Sequence, residues 1–310
     1  MLTRTDLLSP SKQDKNAGNS GDLVKHISYL ALLRELARGA APAEKLQVVE
    51  AQAGKGMHVS AHHHLLKARR CEQYAASTLG RAQTACFAPP PAGLGDVAGL
   101  NTGEVVYAGS AALHGRALAD GLTSSLTLLD SDAGVRTVLG RVFSEPCYSA
   151  VRAQVAIEDP GGPSEQTIAS RLRDGHYRPT HVLHFDPFAF VMAEHDANTR
   201  SSYLQLVREC DARVARGELG AASVFFTWGS NGAAAKDDLD GAGYLGGVQG
   251  GYQEIVSAVD TKRRLVVTWC WEFFFSLLLI VPGDLRPGIA RAIEADTLWL
   301  KPLMRRLDLR

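Results

Sequence analysis

Leu46-Gln47-Val48-Val49-Glu50, running into Ala51-Gln52-Ala53-Gly54-Lys55-Gly56, decides the fold. The apolar residues read as a buried strand, and the glycines after it as a turn where backbone can closely approach a ligand. Upstream, Leu23, Val24, Ile27, Leu30, Ala31, Leu33 and Leu36 mark one stripe of a helix that starts at Asp22 and ends near Gly39. Downstream, helices near 110–120 and 200–216 alternate with strands at Leu126–Leu129, Ala153–Ile157, His181–Phe185 and Val224–Trp228. Strands separated by helices imply a mostly parallel sheet with right-handed crossovers, hence an α/β, Rossmann-like architecture.

The interruption comes directly after the first strand. Residues 57–104 lose strand character, being rich in His, Ala and Arg and then broken by Pro89-Pro90-Pro91. This segment reads as an inserted helical subdomain with a loose return loop. The expected organisation is an N-terminal polar arm over 1–21, a main domain built from 22–56 and 105–310, and the insertion between its two parts. The apolar run from Trp269 to Val281 contains Glu272 and is too short to span a bilayer, so it reads as two buried strands with a tight connection.

Composition narrows the function. Hydrophobic residues make up 45% and charged residues 21% of 310, an ordinary balance for a globular protein. Lys+Arg and Asp+Glu both number 33, so any nucleic-acid surface must be a local patch, without a whole-molecule field to steer the ligand. Cys71, Cys86, Cys147, Cys210 and Cys270 are scattered and odd in number, which fits reduced thiols. With no signal-peptide pattern at Met1-Leu2-Thr3-Arg4-Thr5-Asp6, a cytoplasmic location and no membrane partner are expected.

Four strands end in acids: Glu50, Asp130, Asp159 and Asp186. In parallel strands these line one rim, and ligands of open α/β sheets bind beyond that rim. An acid after the second strand is placed for ribose hydroxyls, so an adenosyl ligand is expected. Asp186 leads into Pro187-Phe188-Ala189-Phe190, where a proline stiffens the turn and aromatic faces offer stacking to a flat ring.

Ala17-Gly18-Asn19, then Asp22, then Lys25-His26, resembles the A-G-N-x-x-D-x-x-K-H signature of the bacterial large-subunit ribosomal RNA adenine-N6 methyltransferase family. Glu50 to Gly56 resembles its cofactor loop, Tyr107-Ala108-Gly109-Ser110 its Y-x-G-S element, and Asp186-Pro187 the start of its D-P-P-Y. The resemblance extends with gaps from about 16 to 300. It implies a class I S-adenosylmethionine-dependent methyltransferase fold with a helical insertion after the first strand, and S-adenosylmethionine as cofactor. It further implies a catalytic role for Asp186 and Lys25. Cofactor contacts are implied for His26, Glu50, Gln52, Gly54, Ser110, Asp130, Asp159 and Asp186, and substrate contacts for Asn19, Pro187, Phe188 and Phe190. Ribosomal RNA is the partner it implies, with a cytoplasmic role in rRNA processing.

The chain also departs from the family. Gln52 stands where the family has histidine, Ser11 and Gln13 stand where its arm has tyrosine and histidine, and D-P-P-Y has become Asp186-Pro187-Phe188-Ala189. These changes, with the zero net charge, keep open a small-molecule amine as acceptor, and a non-catalytic cofactor-binding relative as a third reading. His58, His62, His63 and His64 include an i, i+4 pair but have no carboxylate or cysteine at convincing spacing, so no metal is expected. Lys67, Arg69, Arg70 and Arg81 read as a charged helix face.

Overall fold

A computed structural model describes residues 2, 6–7, 18–40, 44–88, 104–186, 197–228, 254–271, 274–304 and 306–310. Its main sheet has eight strands in the order β5-β4-β1-β6-β7-β9-β8-β10. These are β1 Leu46–Ala51, β4 Thr123–Leu129, β5 Val155–Glu158, β6 His181–Phe185, β7 Ala221–Trp228, β8 Arg264–Cys270, β9 Phe274–Ile280 and β10 Arg306–Leu309. The first five of these run parallel. β9 inserts antiparallel between β7 and β8, and β10 adds antiparallel to β8. The expected Rossmann-like α/β fold is present.

Strand alternation sorts the side chains onto two faces. Val48 packs into a core shared with Leu23, Ile27, Ala111 and Leu279, while Val49 and Ala51 pack into a second core with Leu183, Phe185 and Val207. The first core is roofed by α1 Ser20–Gly39 and α5 Ser110–Ala119, the second by α7 Ser164–Arg173 and α8 Ala197–Ala215. α1 opens on the cap residue Asn19, whose side chain accepts from the Asp22 N–H, with Asp22 itself in the positive first turn. Residues 21–33 are buried apart from the half-buried Asp22, so this helix is an internal element.

Between β1 and β4 lie β2 Met57–Ser60, the helices α2 His63–Arg69, α3 Glu72–Ala76 and α4 Thr78–Cys86, and β3 Val105–Ala108. The three helices lie within the segment read as an insertion. Met57–Ser60 departs from that reading: it is a strand, paired antiparallel with β3 in a separate two-stranded ribbon. Four residues are too few to show a period, and the partner strand lies far along the chain. The arm departs too, because Leu2 and Leu7 are fully buried and Leu7 O accepts from Lys55 Nζ at 2.9 Å. β8 and β9 form the expected hairpin. Two further helices, α6 Ala133–Val142 and α9 Arg286–Thr297, flank the sheet, α9 packing on α1 through Leu285 and Gly39.

Candidate functional site

The chain places β4 and β5 on one side of β1, then returns to place β6 and β7 on the other. That reversal leaves a crevice beyond the carboxyl ends of β1 and β6, the position where open α/β sheets bind ligands. Ala51 is in register with Phe185, so Gln52 and Asp186 leave adjacent strand ends side by side.

The amino end of α1 closes one side of this crevice. Gly18, at φ 78°, turns the chain in, and its N–H donates to Asp22 Oδ2 at 2.8 Å. One helical turn on, Lys25 is 4% exposed, its ammonium 2.8 Å from Asp22 Oδ1 and 2.6 Å from Asp186 Oδ2. It also sits 4.8 Å from the centre of the Phe225 ring. Burial works to lower the Lys25 pKa, yet the Asp186 and Asp22 charges together hold it above the ordinary lysine value. Burial likewise works to raise Asp22, but the Lys25 charge and the Gly18 N–H keep it low. Asp186 is raised by burial, with Lys25 opposing. A cation thus links two carboxylates, and the one at the crevice is the readier to take a proton.

Beneath the pair is a layer of buried rings. His26 Nδ1 and the Tyr107 hydroxyl share a 2.7 Å hydrogen bond, and the rings stack at 5.7 Å. His184 Nδ1 is 2.9 Å from Ser223 Oγ, and its ring meets Tyr29 edge-on at 3.8 Å. Burial, then the Lys25 charge, pushes both His26 and His184 well below the ordinary histidine value, so both imidazoles are neutral. Among the described residues, His26 Nε2, Tyr29 Oη and His184 Nε2 have no hydrogen-bond partner.

Glu50 does not lie on the rim, contrary to the strand-end reading. Ala51 is the last residue of β1, and alternation turns the Glu50 side chain beneath α5, where it is 0% exposed. One of its oxygens accepts from Ser110 Oγ, and the other is 2.8 Å from His114 Nδ1. Glu50 therefore ties the start of α5 to the sheet.

The turn after β1 holds three residues at positive φ: Gln52 at 56°, Gly54 at 62° and Gly56 at 75°. For a glycine this conformation is free, whereas for Gln52 it is strained by about 1–2 kcal/mol. Gln52 Nε2 donates to the Tyr203 hydroxyl at 3.1 Å, and its Oε1 is buried with no partner among the described residues. The Gly54 N–H donates to Asp130 Oδ2 at 3.1 Å, and Asp130 Oδ1 accepts from the Asp132 N–H at 2.9 Å. Burial raises Asp130. Asp159, exposed at the end of β5, is 2.7 Å from Arg136 Nη2. The acids after β4 and β5 thus lie on one rim with the glycine turn, as parallel strands require.

Asn19 holds its place through the cap, its Oδ1 accepting at 3.0 Å. Pro187, Phe188 and Phe190, like Ser11 and Gln13, lie outside the described residues. His58 lies on β2, His62 caps α2 and His63 and His64 begin it, so the i, i+4 pair is not on one helix; among the described residues no group of three or more His, Cys, Asp or Glu side chains could hold a metal ion. No described helix is long and apolar enough to cross a membrane. The structure adds residues to which sequence reasoning gave no role at the site: Asp22 and Tyr107, which it met only as parts of motifs, and Tyr29, His114, His184 and Tyr203. The i, i+3 and i+4 spacing of Asp22, Lys25 and His26 is the signal for the first; the others become neighbours only through packing.

No protein-family model matches the chain, and no curated protein matches it in sequence. Among solved structures, it is similar to protein LPL1258 from Legionella pneumophila str. Philadelphia 1, described under the family model DUF519. The identity is 14%, the TM-score 0.57, and the match covers 95% of this chain and 98% of that one, so the two share a fold from end to end. An O-methyltransferase from Bacillus cereus in complex with SAH matches at 8% identity over 89% and 94% of the two chains, with a TM-score of 0.39. A human methyltransferase 10 domain containing protein matches at 9% over 84% and 83%, with a TM-score of 0.36.

Proposed function

We propose that this protein is an S-adenosylmethionine-dependent methyltransferase that methylates an amine, with adenine N6 of RNA as the acceptor. The observation that carries the reading is the placement of Asp186 at the switch point, held by a buried Lys25 and raised by burial. The cofactor fits the residues present: glycines at positive φ leave room for close approach, and the buried Gln52 Oε1 is an acceptor in want of an N–H. Gly54, Asp130 and Asp159 would hold it on the rim, with Gln52, His26 and Ser110 behind, and Glu50 acting through Ser110 from below. When bound, the cofactor supplies an electrophilic methyl group.

The chain's own residues supply the rest. As an amine nitrogen becomes bonded to carbon it turns positive, and an adjacent carboxylate stabilises that charge and accepts the proton. Lys25 fixes the orientation of Asp186 through Oδ2, which leaves Oδ1 to receive the proton. The neutral His26 and His184 add no positive charge beside the developing cation. Asn19 and the segment Pro187, Phe188 and Phe190 are the proposed substrate contacts.

The test is incubation with methyl-labelled cofactor and undermethylated ribosomal RNA. Label in RNA is expected from the wild type, and Asp186→Asn should lose at least about a hundredfold in transfer. Absence of transfer to RNA rejects that acceptor, and absence of S-adenosylhomocysteine binding by calorimetry rejects the whole reading. The zero net charge and the altered Asp186-Pro187-Phe188-Ala189 favour a second acceptor, a small-molecule amine, so the same assay is run with amine metabolites.

A further inference from the structure

The arm that reads as polar in the sequence is tied to the body at three places. The Leu2 N–H donates to Glu145 Oε1, just past the end of α6, and Asp6 pairs with Arg141 on α6 itself. Leu7 O accepts from Lys55 Nζ at 2.9 Å, in the turn after β1. Leu2 and Leu7 belong to the core that holds Leu139 and Val142 of α6, and Asp6 is 7% exposed. The arm is thus docked by two apolar side chains and three polar ties.

The third tie lands between two main-chain atoms that shape the crevice. The Gly54 N–H donates to Asp130 Oδ2, while Gly56 O accepts from the Gly109 N–H at 2.7 Å, immediately before Ser110 opens α5. Lys55 is the residue between them, 1% exposed. A Cβ on Gly56 would lie 3.2 Å from Leu139, so the turn is pressed against α6, the helix that follows Asp130. The arm therefore joins the two elements that meet at the rim, the glycine turn and α6. A buried ammonium is costly unless acceptors surround it, and Leu7 O is one of those that hold Lys55. An apolar residue would avoid that cost but give no directional hold.

We infer that Leu2, Asp6 and Leu7 brace the cofactor turn, and that Lys55 is a positioning residue: by holding Leu7 O it sets Gly54 and Gly56 before the cofactor arrives. Three residues of this turn are at positive φ, one of them the strained Gln52, so the turn left to itself would sample other conformations. A ligand that meets a turn already set has less ordering to bring about, and its apparent affinity falls in proportion as the set fraction falls. The inference rests on the cofactor reading above and is independent of the acceptor.

Calorimetry measures S-adenosylhomocysteine affinity for the full chain, Lys55→Met, a deletion of residues 1–7 and the two combined, with urea melts to verify that each is folded. Lys55→Met and the deletion should each weaken binding at least about tenfold, as the set fraction of the turn falls to about a tenth or less. Both cut the same tie, so the combined variant should bind within about twofold of the weaker single one, where independent effects would multiply. Arg263→Met breaks the pair with Asp211 at the start of β8, with β6, β7 and β9 between it and β1. It controls for lost stability alone and should bind as the wild type does. By reciprocity, saturating S-adenosylhomocysteine should slow amide hydrogen exchange in the wild-type peptide covering residues 1–7. Should the deletion not fold, Arg141→Met, which removes the partner of Asp6, takes its place, with a loss of at least about threefold expected. If the wild type binds the ligand and the single variants match it within about twofold, or exchange in the arm ignores the ligand, the brace is wrong and the cofactor reading stands. Losses that multiply, or that Arg263→Met shares, mark general destabilisation and overturn the positioning role. A wild type that binds no S-adenosylhomocysteine overturns the cofactor reading and the brace with it.

Discussion

Lys25→Met removes the cation that holds two carboxylates together while keeping an apolar stem of similar length against Phe225. Deleting one partner of a buried ion pair costs about 3–5 kcal/mol, because the remaining charge is left uncompensated. Here the Asp22 and Asp186 side chains each keep 19% of their surface, so the low end of that range, about 3 kcal/mol, is expected near neutral pH. The pH dependence gives the loss a signature. In the wild type the folded-state Lys25 pKa is raised, so its contribution is fully present below the ordinary value of 10.5 and lost only as pH rises through the folded value. In the variant the two carboxylates face each other alone, and both move upward. Each unit of upward shift costs about 1.4 kcal/mol above the new value and is recovered as pH falls and the carboxyl is protonated. Urea unfolding at about pH 7.5 and about pH 5 therefore should give a larger deficit at the higher pH, with the dependence on urea unchanged. Lys25→Met/Asp186→Asn, which removes the stranded charge, should recover at least about 1.5 kcal/mol of the deficit. A loss under about 1 kcal/mol, or one equal at both pH values, would refute the reasoning.

Three further outcomes follow from other parts of the fold. Gly80 lies in α4, where alanine gains about 1 kcal/mol of helix propensity, but a Cβ there would sit 1.9 Å from Tyr74 O. Gly80→Ala should therefore destabilise by a net ~2 kcal/mol or more in urea melts, and a stabilised variant would show the helix pair to be looser than described. Gln52→Val puts a β-branched residue at φ 56°, so it should lower stability by about 1–2 kcal/mol and weaken S-adenosylhomocysteine binding in calorimetry; unchanged values for both would count against the strained loop. His26 and His184 have depressed folded-state values, so their contribution is full above the ordinary value of 6.5 and is lost as pH falls below it. Each should add a slope approaching about 1.4 kcal/mol per pH unit, and His184→Phe should reduce the acid sensitivity seen by thermal melts at about pH 5.5.

Much of the architecture was legible because periodicity survives in long elements. The apolar stripe from Leu23 to Leu36 and the run around Val182-Leu183 announce a helix and a strand whatever their neighbours are. Met57–Ser60 is too short to announce anything, and its identity comes from Val105–Ala108 across the ribbon. Asp186 beside Lys25 could be suspected from separate motifs, since a parallel sheet gathers strand ends on one rim. The fate of Glu50 turned on one residue: with Ala51 ending the strand, alternation sends the carboxylate beneath α5 and not outward. Leu2 and Leu7, set in polar sequence, carry no period at all, and only the packed structure gives them a role.

α1 leaves the ribosome well before the elements that cover it. Its buried surface meets Phe275 on β9 and Leu285 beside α9, which are synthesised long after α1 itself. A nascent chain halted before residue 264 therefore carries α1 with part of its apolar surface still wet, a stretch that holdase chaperones would bind and that invites association between neighbouring chains. Completion of the β8–β9 hairpin and of α9 after it therefore covers this surface. The hairpin brings Phe275 against Gly21 at the amino end of α1, so the helix bearing Lys25 gains this packing only after β9 has been made.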